Sequence, residues 1–145
     1  MEFFSHTPGW RQITGLILAA LLIFGAPQTR WRIGYLLLAI LLSDQTCNLL
    51  KAIFKRTRPD GPRDTGGSFW NKLGHYSLPS SHAANNFAAA ALTFAWWPYY
   101  GAVFYIWAFL VAFSRVYLKN HYPLDVIVGS LIGIGYGILF MHVAP

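Results

Sequence analysis

Only five acidic side chains, Glu2, Asp44, Asp60, Asp64 and Asp125, punctuate the 145 residues of this chain. Charged residues of either sign make up 11% of it, against about 25% in an average soluble domain. A soluble protein so poor in charge would aggregate, because there is too little polar surface to cover a core. The sequence therefore predicts an all-α, polytopic membrane helix bundle forming one integral-membrane domain over residues 1–145.

About five crossings follow from the apolar runs. The first, Ile13 to Ala26, is just long enough to span with little tilt when counted from Trp10. It is expected to be retained: the preceding stretch is long and contains Glu2, and no Ala-x-Ala site follows. Pro27 to Arg32 reads as a tight turn. The second helix runs from about Ile33 to Arg56 or Arg58, and Pro59 ends it. Asp44, Asn48, Lys51, Lys55 and Arg58 follow at spacings of four, three, four and three, so they share one face. Lys55 and Arg58 can reach the interface. The deeper Asp44, Asn48 and Lys51 must face other helices and pair, Asp44 with Lys51 or a neighbour.

Residues 60–78 form a partly ordered Gly- and Pro-rich loop whose Phe69, Trp70 and Tyr76 suit the headgroup layer. His75 in this loop is a candidate substrate contact. The third helix spans Ala83 to Trp97, the fourth Ala102 to Leu118 and the fifth Leu124 to Val143. Gly129, Gly133 and Gly137 recur every fourth residue, a stripe for close helix contact. Cys47, the single cysteine, is a packing residue inside an apolar run.

With five crossings, three polar segments reach the same side of the membrane. Lys51 to Arg58 ends one helix. Pro79-Ser80-Ser81-His82 opens the next, with a serine cap and free N–H groups that attract anions. Ser114 to Asp125 joins the last two. Within it, Arg115 offers a planar fork suited to phosphate oxygens. Asp125, four residues after His121, can accept an imidazole N–H and leave the other ring nitrogen basic. The same residues also fit an ion pair of Asp125 with Arg115 or Lys119 at a helix end, with His121 as a polar cap. Cations and N–H groups of this kind can bind a phosphoryl group, and one histidine can attack while the other protonates the leaving oxygen. No carboxylate cluster exists to hold Mg²⁺, so neither metal nor cofactor is expected. The net charge of +6 gathers at helix ends and in one loop, which suits lipid headgroups rather than nucleic acid.

These segments resemble the motifs of the type 2 phosphatidic acid phosphatases, a superfamily shared with vanadium haloperoxidases. Lys51, six residues, then Arg58-Pro59 matches its first motif. Pro79-Ser80-Ser81-His82 matches its Pro-Ser-Gly-His, with Ser81 in place of glycine. Ser114-Arg115, His121 and Asp125 match its third. The resemblance implies that His121 is the nucleophile, forming a phosphohistidine, that Asp125 orients it, and that His82 is the general acid. It also implies that Lys51, Arg58, Ser80, Arg115 and the backbone N–H of Ser81 bind phosphate. The extra hydroxymethyl of Ser81 is expected to narrow the pocket. Larger members commonly have six crossings.

The expected activity is hydrolysis of a terminal phosphate from a lipid phosphate or diphosphate. Candidates are phosphatidylglycerophosphate, phosphatidic acid, undecaprenyl diphosphate and the phosphates of lipid A. The rival reading is a non-catalytic lipid-phosphate binder or transporter subunit, which would need the cations but not His82 or the His121 and Asp125 pair. A haloperoxidase is disfavoured because those relatives are soluble. The excess of Lys and Arg on the active side would place it in the cytoplasm. Bacterial members of the resembled family usually face the periplasm from the inner membrane, and that is the expected orientation.

Overall fold

The structure, a computed structural model, describes residue 19 and residues 22–61 and 73–143. Four helices are described in full: α1, Pro27–Phe54; α2, Ser81–Trp96; α3, Pro98–Tyr117; and α4, Pro123–Val143. Of the first apolar run only residues 19 and 22–26 are described; the rest of it, and Phe69 and Trp70 of the 60–78 loop, lie outside the described residues.

The predicted turn at Pro27 to Arg32 is instead the start of α1. Proline there sits in the first turn, where its missing N–H costs nothing and its fixed φ already suits a helix. Pro98 opens α3 in the same way, before the predicted Ala102, and Pro123 opens α4. Arg30 turns back over the chain, its Nε donating to Gly25 O (2.8 Å) and its Nη2 to Ile23 O (3.0 Å).

The other end of α1 also differs from expectation. The helix stops at Phe54, with Lys55 in the left-handed region at φ 48° and its N–H donating to Lys51 O. Beyond it, Arg56 O accepts from Ser77 N (2.8 Å), and Thr57 O accepts from Ser77 Oγ (3.1 Å). Thr57 forms an isolated antiparallel bridge with Tyr76. The strand-like pairing thus takes carbonyls that a longer helix would have used. Lys55 and Arg58 leave the face shared by Asp44, Asn48 and Lys51.

At the centre lies α2. It packs most extensively on α4, then on α3 and α1, whereas α1 and α3 do not meet. Its Ala83, Ala84, Ala88 and Ala90 are fully buried, so neighbouring backbones come close. A Cβ added at Gly129 would overlap Ser80 O, one at Gly133 would overlap Ala84 O, and one at Gly137 would overlap Ala91 Cβ. The glycine stripe is therefore the contact surface of α4 on α2.

By length and composition, α1, α3 and α4 can each cross a membrane. Their outward faces carry large exposed apolar side chains, among them Leu41, Ile53, Phe109 and Leu131. With 16 residues, α2 rises only about 24 Å, and its neighbours enclose much of it. The chain is an integral membrane helix bundle. At the end remote from Lys51, the Arg32 guanidinium lies over Trp97 (4.9 Å) and Trp96 (5.8 Å), a cation held by interfacial rings.

The polar groups midway along α1 find partners, as burial in lipid demands. A charge at mid-helix costs roughly 2.5–3.5 kcal/mol on insertion scales. Asp44 accepts from Asn48 Nδ2 (3.1 Å) and Asn85 Nδ2 (3.4 Å), and Ser43 Oγ donates to Asn85 Oδ1 (2.8 Å). Thr46 and Tyr136 share a hydrogen bond of 2.7 Å on the other flank of α1. Of the two partners expected for Asp44, the neighbours take the place of Lys51.

Candidate functional site

The helix ends nearest Lys51 gather the polar residues singled out by sequence. Lys51, buried near the end of α1, donates from Nζ to Ser81 Oγ at 2.8 Å. Ser80 caps α2: its side chain accepts from Ala83 N, and its own N–H donates to Asp125 O at 2.9 Å. That second bond ties the start of α2 to the start of α4. His82, next along, lies exposed at the mouth, with Arg115, Lys51 and Arg58 near enough to act on its charge.

Arg58 stands in the segment after α1. Its Nε donates to Gly74 O and its Nη1 to Asn120 O, both at 2.9 Å. One planar fork thus holds two loops. The same Nη1 lies 3.3 Å from His121 Nε2. On the α3–α4 connection, Arg115 O accepts the N–H groups of Asn120 and His121 at 3.0 and 3.1 Å, so the end of α3 sets the position of the histidine backbone.

His121 itself is buried, and its Nδ1 is 2.7 Å from Ser77 O. A carbonyl only accepts, so Nδ1 carries the proton and the lone pair of the neutral ring is on Nε2. Here the structure departs from the expected pairing. Asp125 Oδ2 lies 3.8 Å from Nδ1, too far for a hydrogen bond. Asp125 is fully buried. It accepts from Arg56 Nη1 at 3.0 Å and from Tyr122 N at 2.9 Å. Its carboxylate therefore holds the loop containing His121 rather than the ring. The alternative ion pair with Arg115 or Lys119 is also not the one found; Arg56 takes that place. The Arg56 guanidinium lies 4.1 Å from the Tyr122 ring centroid, so it stacks as well as pairs.

Arg56, Ser77 and the carbonyls of Gly74 and Asn120 were not legible as site components. Arg56 had a faint signal, a cation two residues from Arg58 in a stretch expected to be helical. A backbone carbonyl such as that of Ser77 has none, because any residue type supplies one. His75 lies part-buried in the loop, and Cys47 is buried in α1.

Burial, and next the Arg58 charge, push the His121 imidazole down from 6.5 to about 3, although the bond to Ser77 O acts in the opposite direction. The folded value lies below the unfolded one. The neutral ring thus favours folding fully above pH 6.5, and that contribution is lost as pH falls toward 3. In detergent micelles, the ¹⁵N shifts of His121 are expected to remain those of a neutral, Nδ1-protonated ring at pH 5. Half-protonation near pH 6.5 would contradict the geometry.

The chain is similar to known proteins. The model of the PAP2 superfamily matches residues 32–145, most of the chain. The lipid A 4'-phosphatase of Bacteroides thetaiotaomicron is 28% identical over 96% of this chain and 72% of its own length. The lipid A 1-phosphatase of Rhizobium johnstonii is 37% identical over 75% of this chain, but this spans only 46% of that protein. The bacitracin transport permease protein BcrC of Bacillus licheniformis is 35% identical over 48% of the chain and 34% of its own length. No solved structure matches significantly.

Proposed function

The chain belongs to the PAP2 superfamily and is a phosphatase of that membrane type, and we propose that it removes a terminal phosphate from a lipid phosphate or diphosphate through a phosphohistidine at His121. The observation that carries this reading is the position of His121 Nε2. Its lone pair is fixed by the Ser77 carbonyl on the far side of the ring and lies 3.3 Å from the Arg58 guanidinium. A phosphate oxygen drawn to Arg58 arrives beside the nucleophile.

In the proposed reaction, Nε2 attacks phosphorus as the bond to the lipid oxygen breaks, and His82 gives that oxygen a proton. Lys51, Arg58, Arg115 and the Ser81 N–H spread the charge moving onto the phosphoryl oxygens, with Ser80 shaping the start of α2. Water then attacks the phosphorus of the phosphohistidine, passing a proton to His82. The P–N bond breaks, and inorganic phosphate leaves with His121 restored. Asp125 acts as a positioning residue through Arg56, Tyr122 and the Ser80 N–H. No metal or cofactor enters this scheme.

Lipid A phosphates head the list of substrates because two relatives bear that name. Release of inorganic phosphate from a panel of lipid monophosphates and diphosphates in detergent is the direct test. A protein that retains lipid phosphate on a filter yet releases none would instead be the binder of the rival reading.

The active side is proposed to face the periplasm from the inner membrane, the orientation the family resemblance implies, with the excess of cations on that side serving anionic headgroups. α4 then carries the C-terminus to the cytoplasm. A cytoplasm-active reporter fused there is expected to work, and a reporter active only in the periplasm would reverse the orientation.

A further inference from the structure

α1 and α3 both pack on α2 without meeting each other, and His82, Asn85 and Asn86 of α2 keep solvent exposure, so the strip of α2 between the two helices is an open cleft among the described residues. Its upper end is the site, where His82 is exposed. On α1, Thr46 meets Tyr136 of α4 on one flank. Helical spacing puts Asp44, Asn48 and Lys51 on the opposite flank, toward the cleft. From α2, Asn85 reaches the same place, within 3.4 Å of Asp44. All of Asp44, Asn48 and Asn85 remain partly exposed. Each carboxylate oxygen of Asp44 takes one amide N–H, whereas an ionised carboxylate accepts about four bonds. The cluster therefore keeps accepting capacity on its open side.

Depth gives this cluster a meaning. At 1.5 Å per residue, Asn48 lies roughly 5 Å and Asp44 roughly 10 Å deeper than Lys51 along α1. A lipid whose phosphate is bound at Lys51 and Arg58 would bring its first few groups below the phosphate to this wall. An isoprenyl chain offers only hydrocarbon there, and a diacylglycerol only ester acceptors, which can meet the second N–H of an Asn amide but leave the open positions of the carboxylate unfilled. Hydroxyl and amide N–H groups match it.

We infer that the Asp44, Asn48 and Asn85 cluster is a specificity subsite for lipid phosphates with hydroxyl or amide donors about 5–10 Å below the phosphate, the chemistry of an acylated amino sugar. This rests on the phosphatase reading above and names its substrate class.

The test uses the full chain in mixed micelles with three probes: a phosphorylated N-acyl, hydroxyacyl glucosamine, phosphatidic acid and a polyisoprenyl phosphate. Wild type is expected to prefer the amino-sugar probe. Asp44→Leu and, separately, Asn48→Ala are expected to lower kcat/KM for that probe by about tenfold, as for a lost charge-assisted hydrogen bond, with phosphatidic acid turned over as before. Asn48→Ala serves where Asp44→Leu fails to fold. Equal losses on all probes would mark the cluster as structural and overturn the subsite, as would no loss on any. Failure of wild type to release phosphate from every probe would instead overturn the phosphatase reading itself.

Discussion

Replacing His121 with alanine is expected to abolish phosphate release, by on the order of 10⁴-fold or more, while the protein still inserts and folds. Other groups of the site can still bind phosphate, but none can form the covalent adduct. The buried ring contributes two hydrogen bonds, from Nδ1 to Ser77 O and at Nε2 from Arg58 Nη1, and its loop is held independently by Arg115 O, Asp125 and the Arg58 bond to Asn120 O. Folding should therefore survive. Mixing wild type with ³²P-labelled lipid phosphate and denaturing rapidly should trap an acid-labile, base-stable adduct absent from His121→Ala. Near-normal turnover by the variant would remove His121 from the chemistry. Asp125→Asn should lose less than His121→Ala, because the carboxylate touches Arg56 and Tyr122 N rather than the imidazole.

Arg58→Lys is expected to lower kcat/KM by on the order of 10²-fold, close to the loss in Arg58→Ala. The charge is retained, so a site that needs only a cation would be little affected. What lysine lacks is the fork: Arg58 spans Gly74 O and Asn120 O while lying against His121 Nε2. The donors of an ammonium all sit on one nitrogen and do not reproduce the separate Nε and Nη1 positions from which Arg58 meets the two carbonyls and the nucleophile. Steady-state kinetics on a lipid monophosphate in detergent, with His121 ¹⁵N shifts as a control for ring position, distinguish the two. A lysine variant within about threefold of wild type would show that charge alone suffices.

The sequence alone determined the bundle, because a chain with so few charges and such long apolar runs has helices as its ready solution in lipid. It also placed Lys51, Ser80, Ser81, His82, Arg58, Arg115, His121 and Asp125 near one membrane face. Crossing parity does that: successive antiparallel helices return their ends to the same side. The glycine stripe of α4 was legible for a similar reason, since its spacing of four is a property of the helix itself. Which atoms meet was decided only by tertiary structure. Whether α1 continues past Phe54 depends on Ser77, twenty or more residues away, competing for the carbonyls of Arg56 and Thr57. That competition frees Arg56 to reach Asp125, leaving the backbone carbonyl of Ser77 to fix the tautomer of His121. A spacing of four brings two side chains within reach, but the 3.8 Å between His121 and Asp125 is set by loop packing. Backbone carbonyls carry no residue identity, so neither composition nor motif can reveal which one will face a ring.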